Sequence, residues 1–186
     1  ESAEALAGNH GSRHTENGAD PIPLATPTEG GLMSAKDKAK LDSFVISVLE
    51  TGADPTGSID STAAVQAAID EVIVNGGGTV FFPPGIYLFN VNSPSLNPGI
   101  GGIVIEGSGM DSTIILFHEG DSTANVTQRK NLFYNDANDP NKKTITFRNL
   151  TFRGTKTSTD YNKGGVPIFL DYYKQIVIEN CKFENL

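Results

Sequence analysis

The chain has 186 residues, a net charge of −8 and a sequence pI near 4.8. Such an acidic surface repels a phosphate backbone, so nucleic acid is not the expected partner, and an anionic polymer such as teichoic acid would need a local basic patch. The one cysteine, Cys181, cannot form an intrachain disulfide, and no apolar run nears the roughly 20 residues of a membrane-crossing helix.

Residues 1 to about 30 are polar, with Gly, Pro, Asn and Thr throughout and no apolar period of 2 or 3.6. Pro21, Pro23 and Pro27 favour extended backbone. Ser34 and Asp37 then stand at capping-box spacing and predict a short helix carrying Leu41. Two helical turns are unstable alone in water. Ile22, Leu24, Leu32, Met33 and Leu41 have no partner pattern within the chain. Three copies around one axis would bury them, so residues 1–45 are expected to be an adaptor that makes the protein a homotrimer.

From Phe44 the pattern changes. Residues 44–50 alternate as a strand, and Thr51–Ser61 reads as a turn-rich link. Val65, Ala68, Ile69, Val72 and Ile73 form one apolar stripe of a helix, with Asp60 as the expected N-cap and Gly76 or Gly77 beyond its end. Residues 79–91 predict two short strands bent at Pro83-Pro84-Gly85.

Further on, two segments repeat one pattern. Ile145, Asn149 and Phe152 recur as Ile176, Asn180 and Phe183, a period of 31 residues. A fixed period with Asn at a corner marks a solenoid. The fold class is therefore all-β, a right-handed parallel β-helix whose coils occupy 46–186 behind the capping helix. Ile145, Phe147 and Phe152 should point inward over Ile176, Ile178 and Phe183. Asn149 and Asn180 should sit at bends, where Asn tolerates left-handed backbone and its amides can form a ladder.

Residues 51–89 resemble the opening of the pectate-lyase-like family of phage tailspikes and glycan-active enzymes. Gly52, Ala53, Gly57, Asp60, Thr62, Ala64, Gln66, Ala68, Gly77, Gly78, Val80, Phe82, Pro83, Gly85 and Tyr87 carry the resemblance, while Asp54-Pro55-Thr56 departs from it. It implies that the helix caps the mouth of the β-helix and does no chemistry. Residues 10–44 are similar to adaptor segments of phage tail fibres from Gram-positive hosts. Both together resemble the pre-neck appendages, or tailspikes, of short-tailed Bacillus phages. This implies a virion location, docking to neck or tail proteins through the N-terminal tract, and binding and degradation of a cell-wall glycopolymer such as teichoic acid. The alternative is a secreted bacterial polysaccharide lyase or glycoside hydrolase, which would be expected to open with a signal peptide, a pattern the tract from Glu1 does not show. A third reading is a purely structural connector. The alternating pattern continues to Leu186, so a fragment of a larger protein is expected, with its chemistry beyond Leu186 and no turnover by the fragment alone.

No catalytic pair stands out by spacing. Glu106, Asp111, Asp136, Asp139, Asp160, Asp171, Glu179 and Glu184 are the acids available for glycoside chemistry, and solvated surface is the default for each. His10 and His14 have helical metal-ligand spacing, but the Gly, Ser and Asn around them argue for packing or hydrogen bonding instead. No phosphate-binding loop is present, and no cofactor is expected. The sequons at Asn125 and Asn149 need a secretory route for which nothing argues. Lys142-Lys143 and Arg129-Lys130 read as solvated turns, and Cys181 as a buried structural thiol.

Overall fold

The computed structural model describes Met33 and residues 44–90, 94–117, 131–135, 137–155 and 166–186. Ser43–Leu186 is one compact unit. The expectations for the adaptor tract, its short helix and its histidines lie outside the described residues.

Ten strands and one helix follow in chain order: β1 (Val45–Ser47), β2 (Thr56–Asp60), α1 (Thr62–Val74), β3 (Gly78–Phe82), β4 (Gly85–Phe89), β5 (Ile103–Gly107), β6 (Thr113–Phe117), β7 (Asn131–Asn135), β8 (Thr144–Gly154), β9 (Val166–Leu170) and β10 (Gln175–Glu184). Every strand pairing among the described residues is parallel. The strands make three sheets. The first stacks β1, β3, β5 and the leading halves of β8 and β10. The second stacks β2, β4, β6 and the trailing halves of β8 and β10. The third pairs β7 with β9 and is extended by a bridge from Leu96 to Phe133. Successive coils therefore climb a right-handed parallel β-helix, the handedness that a parallel crossover favours.

Alternation puts one column of side chains inside each sheet. Ile46, Val80, Ile105, Phe147 and Ile178 stand in register in the first sheet. Tyr87, Ile115, Phe152 and Phe183 do so in the second. One coil brings an aromatic from each sheet to the axis. Phe133 meets Phe147 edge-on at 5.0 Å and Phe152 at 6.4 Å, and Phe147 meets Phe152 at 6.1 Å. The expected pairings of Ile145 with Ile176, Phe147 with Ile178 and Phe152 with Phe183 are all present. Ile176 is 38% exposed where Ile145 is fully buried, because β10 belongs to the last described coil and no described strand pairs beyond it.

Asn149 and Asn180 sit at the bends of β8 and β10 with φ of 60° and 47°. The Asn180 amide donates to the Asn149 side-chain oxygen at 3.3 Å, the expected ladder. Inside the first of these bends Gly107 passes so close to the Asn149 carbonyl and the Leu150 side chain that a Cβ would clash.

Helix α1 buries Val65, Ala68, Ile69 and Val72 against β1 and β3. Its N-terminus departs from expectation by one residue. Ser61 is the N-cap and its hydroxyl makes no capping bond. Asp60 does the work from one position earlier, its carboxylate accepting from the Thr62 N–H at 2.9 Å and the Thr62 hydroxyl at 2.6 Å. At the other end the Gly76 N–H donates to Ile73 and the Gly77 N–H to Val72, a Schellman pair made possible by positive φ at Gly76. The link 51–61 is more ordered than its composition suggests. The Asp54 carboxylate gathers the N–H groups of Thr56, Ser58 and Ile59, which shapes β2 for pairing with β4.

Candidate functional site

The outer face of the third sheet is partly covered: Leu132 and Pro167, which alternate with the inward Phe133 and Ile168, are buried, and of the strand residues of this sheet only Phe169 is exposed. In β7 and β9, Phe133 and Ile168 turn inward, which points their neighbours Tyr134 and Phe169 outward. The two outer rings stack across the strands at 5.5 Å with 20° between planes, and Phe169 is 45% exposed. The exposed ring of Phe169, backed by the half-buried Tyr134, suits the apolar C–H face of a sugar ring, which buries carbon against the ring while its hydroxyls stay hydrated.

A corner follows this face in each coil, and the corners are tied together. The Asn135 amide donates to the Asn97 side chain at 2.9 Å and to the Gly99 carbonyl at 2.8 Å. The Asp171 N–H donates to the Asn135 carbonyl at 2.9 Å. The Tyr173 hydroxyl donates to the Gly99 carbonyl at 2.5 Å, and burial pushes its pKa up to about 12. Lys142 overturns its reading as a solvated turn. It is 6% exposed, donates to the Asp171 carbonyl at 2.6 Å and stands 4.6 Å over the Tyr173 ring. The ring faces and the carbonyl replace the water its ammonium gives up. Lys143, beside it, is exposed as expected.

The acids fall mostly into structural roles. Glu106 pairs with Arg148 at 2.8 Å, and Glu179 stands in register with Arg148 on the next coil. The hydrogen bond to Glu106 raises the Arg148 pKa further above its ordinary value. Glu184 is held between Arg153 at 3.3 Å and Lys182 at 3.1 Å, which lowers its pKa. Asp139 accepts from the Asn141 N–H, and Asp171 from the Tyr172 N–H. Asp111 is exposed. Asp136, Asp160, Arg129, Lys130 and the Asn125 sequon lie outside the described residues. Cys181 is half-buried, and burial pushes its thiol pKa up, as suits a structural cysteine. Among the described residues no three His, Cys, Asp or Glu side chains gather as metal ligands.

A concavity of about 680 Å³ lies along α1, lined by Asp60, Ala63, Gln66, Ala67, Pro94 and Asn97 among others. Gln66 crosses it, accepting from the Asn97 N–H at 2.8 Å and donating to the Asn97 carbonyl at 3.1 Å. That bridge pins the capping helix to the first strand segment of the third sheet. Among the described residues the walls of the cleft are small and aliphatic at Ala63, Ala67 and Pro94, carboxylate at Asp60 and Asp70, and without an aromatic ring. The sequence singled out neither Tyr134 nor Phe169; their outward placement follows only from the inward turn of Phe133.

A chain of parallel coils under a capping helix is the architecture of polysaccharide-acting β-helices. Residues 45–186 match the family "Rhamnogalacturonase A/epimerase, pectate lyase-like", and the chain belongs to it. Among curated relatives, the mannuronan C5-epimerase AlgE3 of Azotobacter vinelandii is 38% identical over 98 residues, 50% of this chain and 4% of that protein. AlgE4 of the same organism is 32% identical over 118 residues, 60% of this chain and 20% of that protein. Its alginate lyase 7 is 36% identical over 76 residues, 39% of this chain and 9% of that protein. The chain thus spans a small part of the length of these relatives. The solved A-module of AlgE4 superposes with a TM-score of 0.55 at 23% identity, covering 74% of this chain and 37% of that one, which shows the shared fold.

Proposed function

We propose that this chain belongs to a phage appendage that adsorbs to a host-surface glycopolymer, and that a glycosylated teichoic acid is the class of ligand. The observation that carries the binding reading is the exposed ring of Phe169 on the third sheet, stacked on the half-buried Tyr134. Family membership supports a polysaccharide ligand. The phage reading rests on the tract at residues 10–44, whose pattern resembles tail-fibre adaptors. On this reading residues 1–45 trimerise the protein and dock it to neck or tail proteins, and the protein resides in the virion. The relatives' names, epimerase and lyase, favour a second reading as a polysaccharide-modifying enzyme.

Calorimetric titration of the full chain with glycosylated wall teichoic acid, with the same polymer stripped of its sugars, and with mannuronan separates these readings. Saturable binding to the glycosylated polymer is expected, weakened several-fold by Phe169→Ala, with no product released. Equal binding to the stripped polymer would remove the sugar-stacking argument. Conversion of any polymer by this chain would favour the enzyme.

A further inference from the structure

Tyr172 is a bulky residue at φ 59°, in the left-handed region. Its side chain is 56% exposed, so core packing does not hold it there. Among the described residues Asn fills the other left-handed positions that glycine does not, Asn149, Asn180 and Asn185, and would serve this turn at lower cost. Backbone strain at an exposed ring persists only where neighbours enforce it, and it then serves the placement of that ring.

The neighbours here are specific. On one side Asp171 is held by its N–H to Asn135 and by its carbonyl to the Lys142 ammonium. On the other side Tyr173 lies against that same ammonium and is tied through its hydroxyl to Gly99. The Lys142 nitrogen is also 5.8 Å from the Tyr172 ring centroid. Phe169 precedes Tyr172 by three residues, which limits their Cα separation to about 11 Å.

We propose that Tyr172 is a second ring-stacking residue for the same glycopolymer, adjoining the Tyr134–Phe169 pair, and that Lys142 positions it by fixing Asp171 and Tyr173 on either side. This rests on the binding reading above. The ligand class is a polymer of repeating units with pyranose rings, long enough to lie over both places at once.

Titration of the full chain with glucosylated glycerol-phosphate oligomers of one repeat and of many repeats tests this, with mannuronan oligomers as a second series. Tyr172→Gly removes the ring and relieves the strain. The melting temperature is expected to hold or rise while affinity for the long oligomer falls about three- to tenfold and that for the single repeat stays unchanged. Lys142→Met is expected to lower long-oligomer affinity to a similar degree, Lys142→Arg to restore it, and the double variant with Tyr172→Gly to lose no more than either alone. If Phe169→Ala weakens binding but Tyr172→Gly does not, this inference falls and the binding reading stands. A Lys142→Met variant with lowered melting temperature but undiminished affinity would overturn the positioning role. Failure of the unaltered chain to bind either series overturns both readings.

Discussion

Phe147→Ala tests whether one aromatic layer unites the three sheets. Phe147 is fully buried, meets Phe133 and Phe152, and stands in register with Ile105 below and Ile178 above. A buried Phe removes about 150–250 Å² from water, worth about 4–6 kcal/mol at ~25 cal/mol per Å². Alanine retains part of that, and Phe→Ala changes in cores cost about 3–5 kcal/mol. A loss near ~4 kcal/mol is expected. Phe183 makes a comparable contact, stacking on Phe152 at 5.2 Å, but is 41% exposed, so Phe183→Ala should cost about half as much. Urea unfolding followed by far-UV circular dichroism reads both. With a slope of about 2 kcal/mol per M, Phe147→Ala should move the midpoint by ~2 M and Phe183→Ala by ~1 M. Equal shifts for the two, or a cost for Phe147→Ala below ~1 kcal/mol, would refute the layered core.

Three further outcomes are expected. Asn149→Gly should change stability by less than about 1 kcal/mol, whereas Asn149→Val should cost about 2–3 kcal/mol; both lose the ladder, but only the β-branched residue is strained at φ 60°, so thermal melts decide, and equal effects would count against the bend. Asp54 has its pKa lowered from 3.8 to about 2, chiefly by the hydrogen bonds from Thr56. Its contribution is complete above pH 3.8 and is lost as pH falls towards 2, so Asp54→Asn should be less stable than the unaltered protein at neutral pH, with the gap closing through that window. A double-mutant cycle on the partly exposed Glu106–Arg148 pair should return a coupling below about 1 kcal/mol that shrinks in high salt; a large, salt-independent value would mean the pair is not solvent-screened.

The β-helix register was legible because β8 and β10 each hold two strands and their bend without an insertion. Ile145, Asn149 and Phe152 therefore recur intact as Ile176, Asn180 and Phe183. The capping helix was legible from its stripe, and the one-residue error at its start arose because Asp60 and Ser61 are both good caps. The third sheet was not legible. Its strand β7 buries the adjacent Leu132 and Phe133, and β9 buries only Pro167, so neither shows a period of two. Nor was β2, whose residues apart from the exposed Ile59 are small or polar and whose shape is set by the Asp54 carboxylate. Lys142 looked like a surface lysine because the groups that desolvate it, Asp171 and Tyr173, arrive from the next coil.

The most direct measurement is a nitrogen–proton correlation spectrum of the labelled full chain, titrated with a glucosylated glycerol-phosphate oligomer. The expected result is saturable shifts concentrated in residues 131–135 and 166–174, on β7, β9 and the corner after them. Shifts confined to the cleft along α1 or to the outer face of the second sheet, or no shifts at saturating oligomer, would contradict the account.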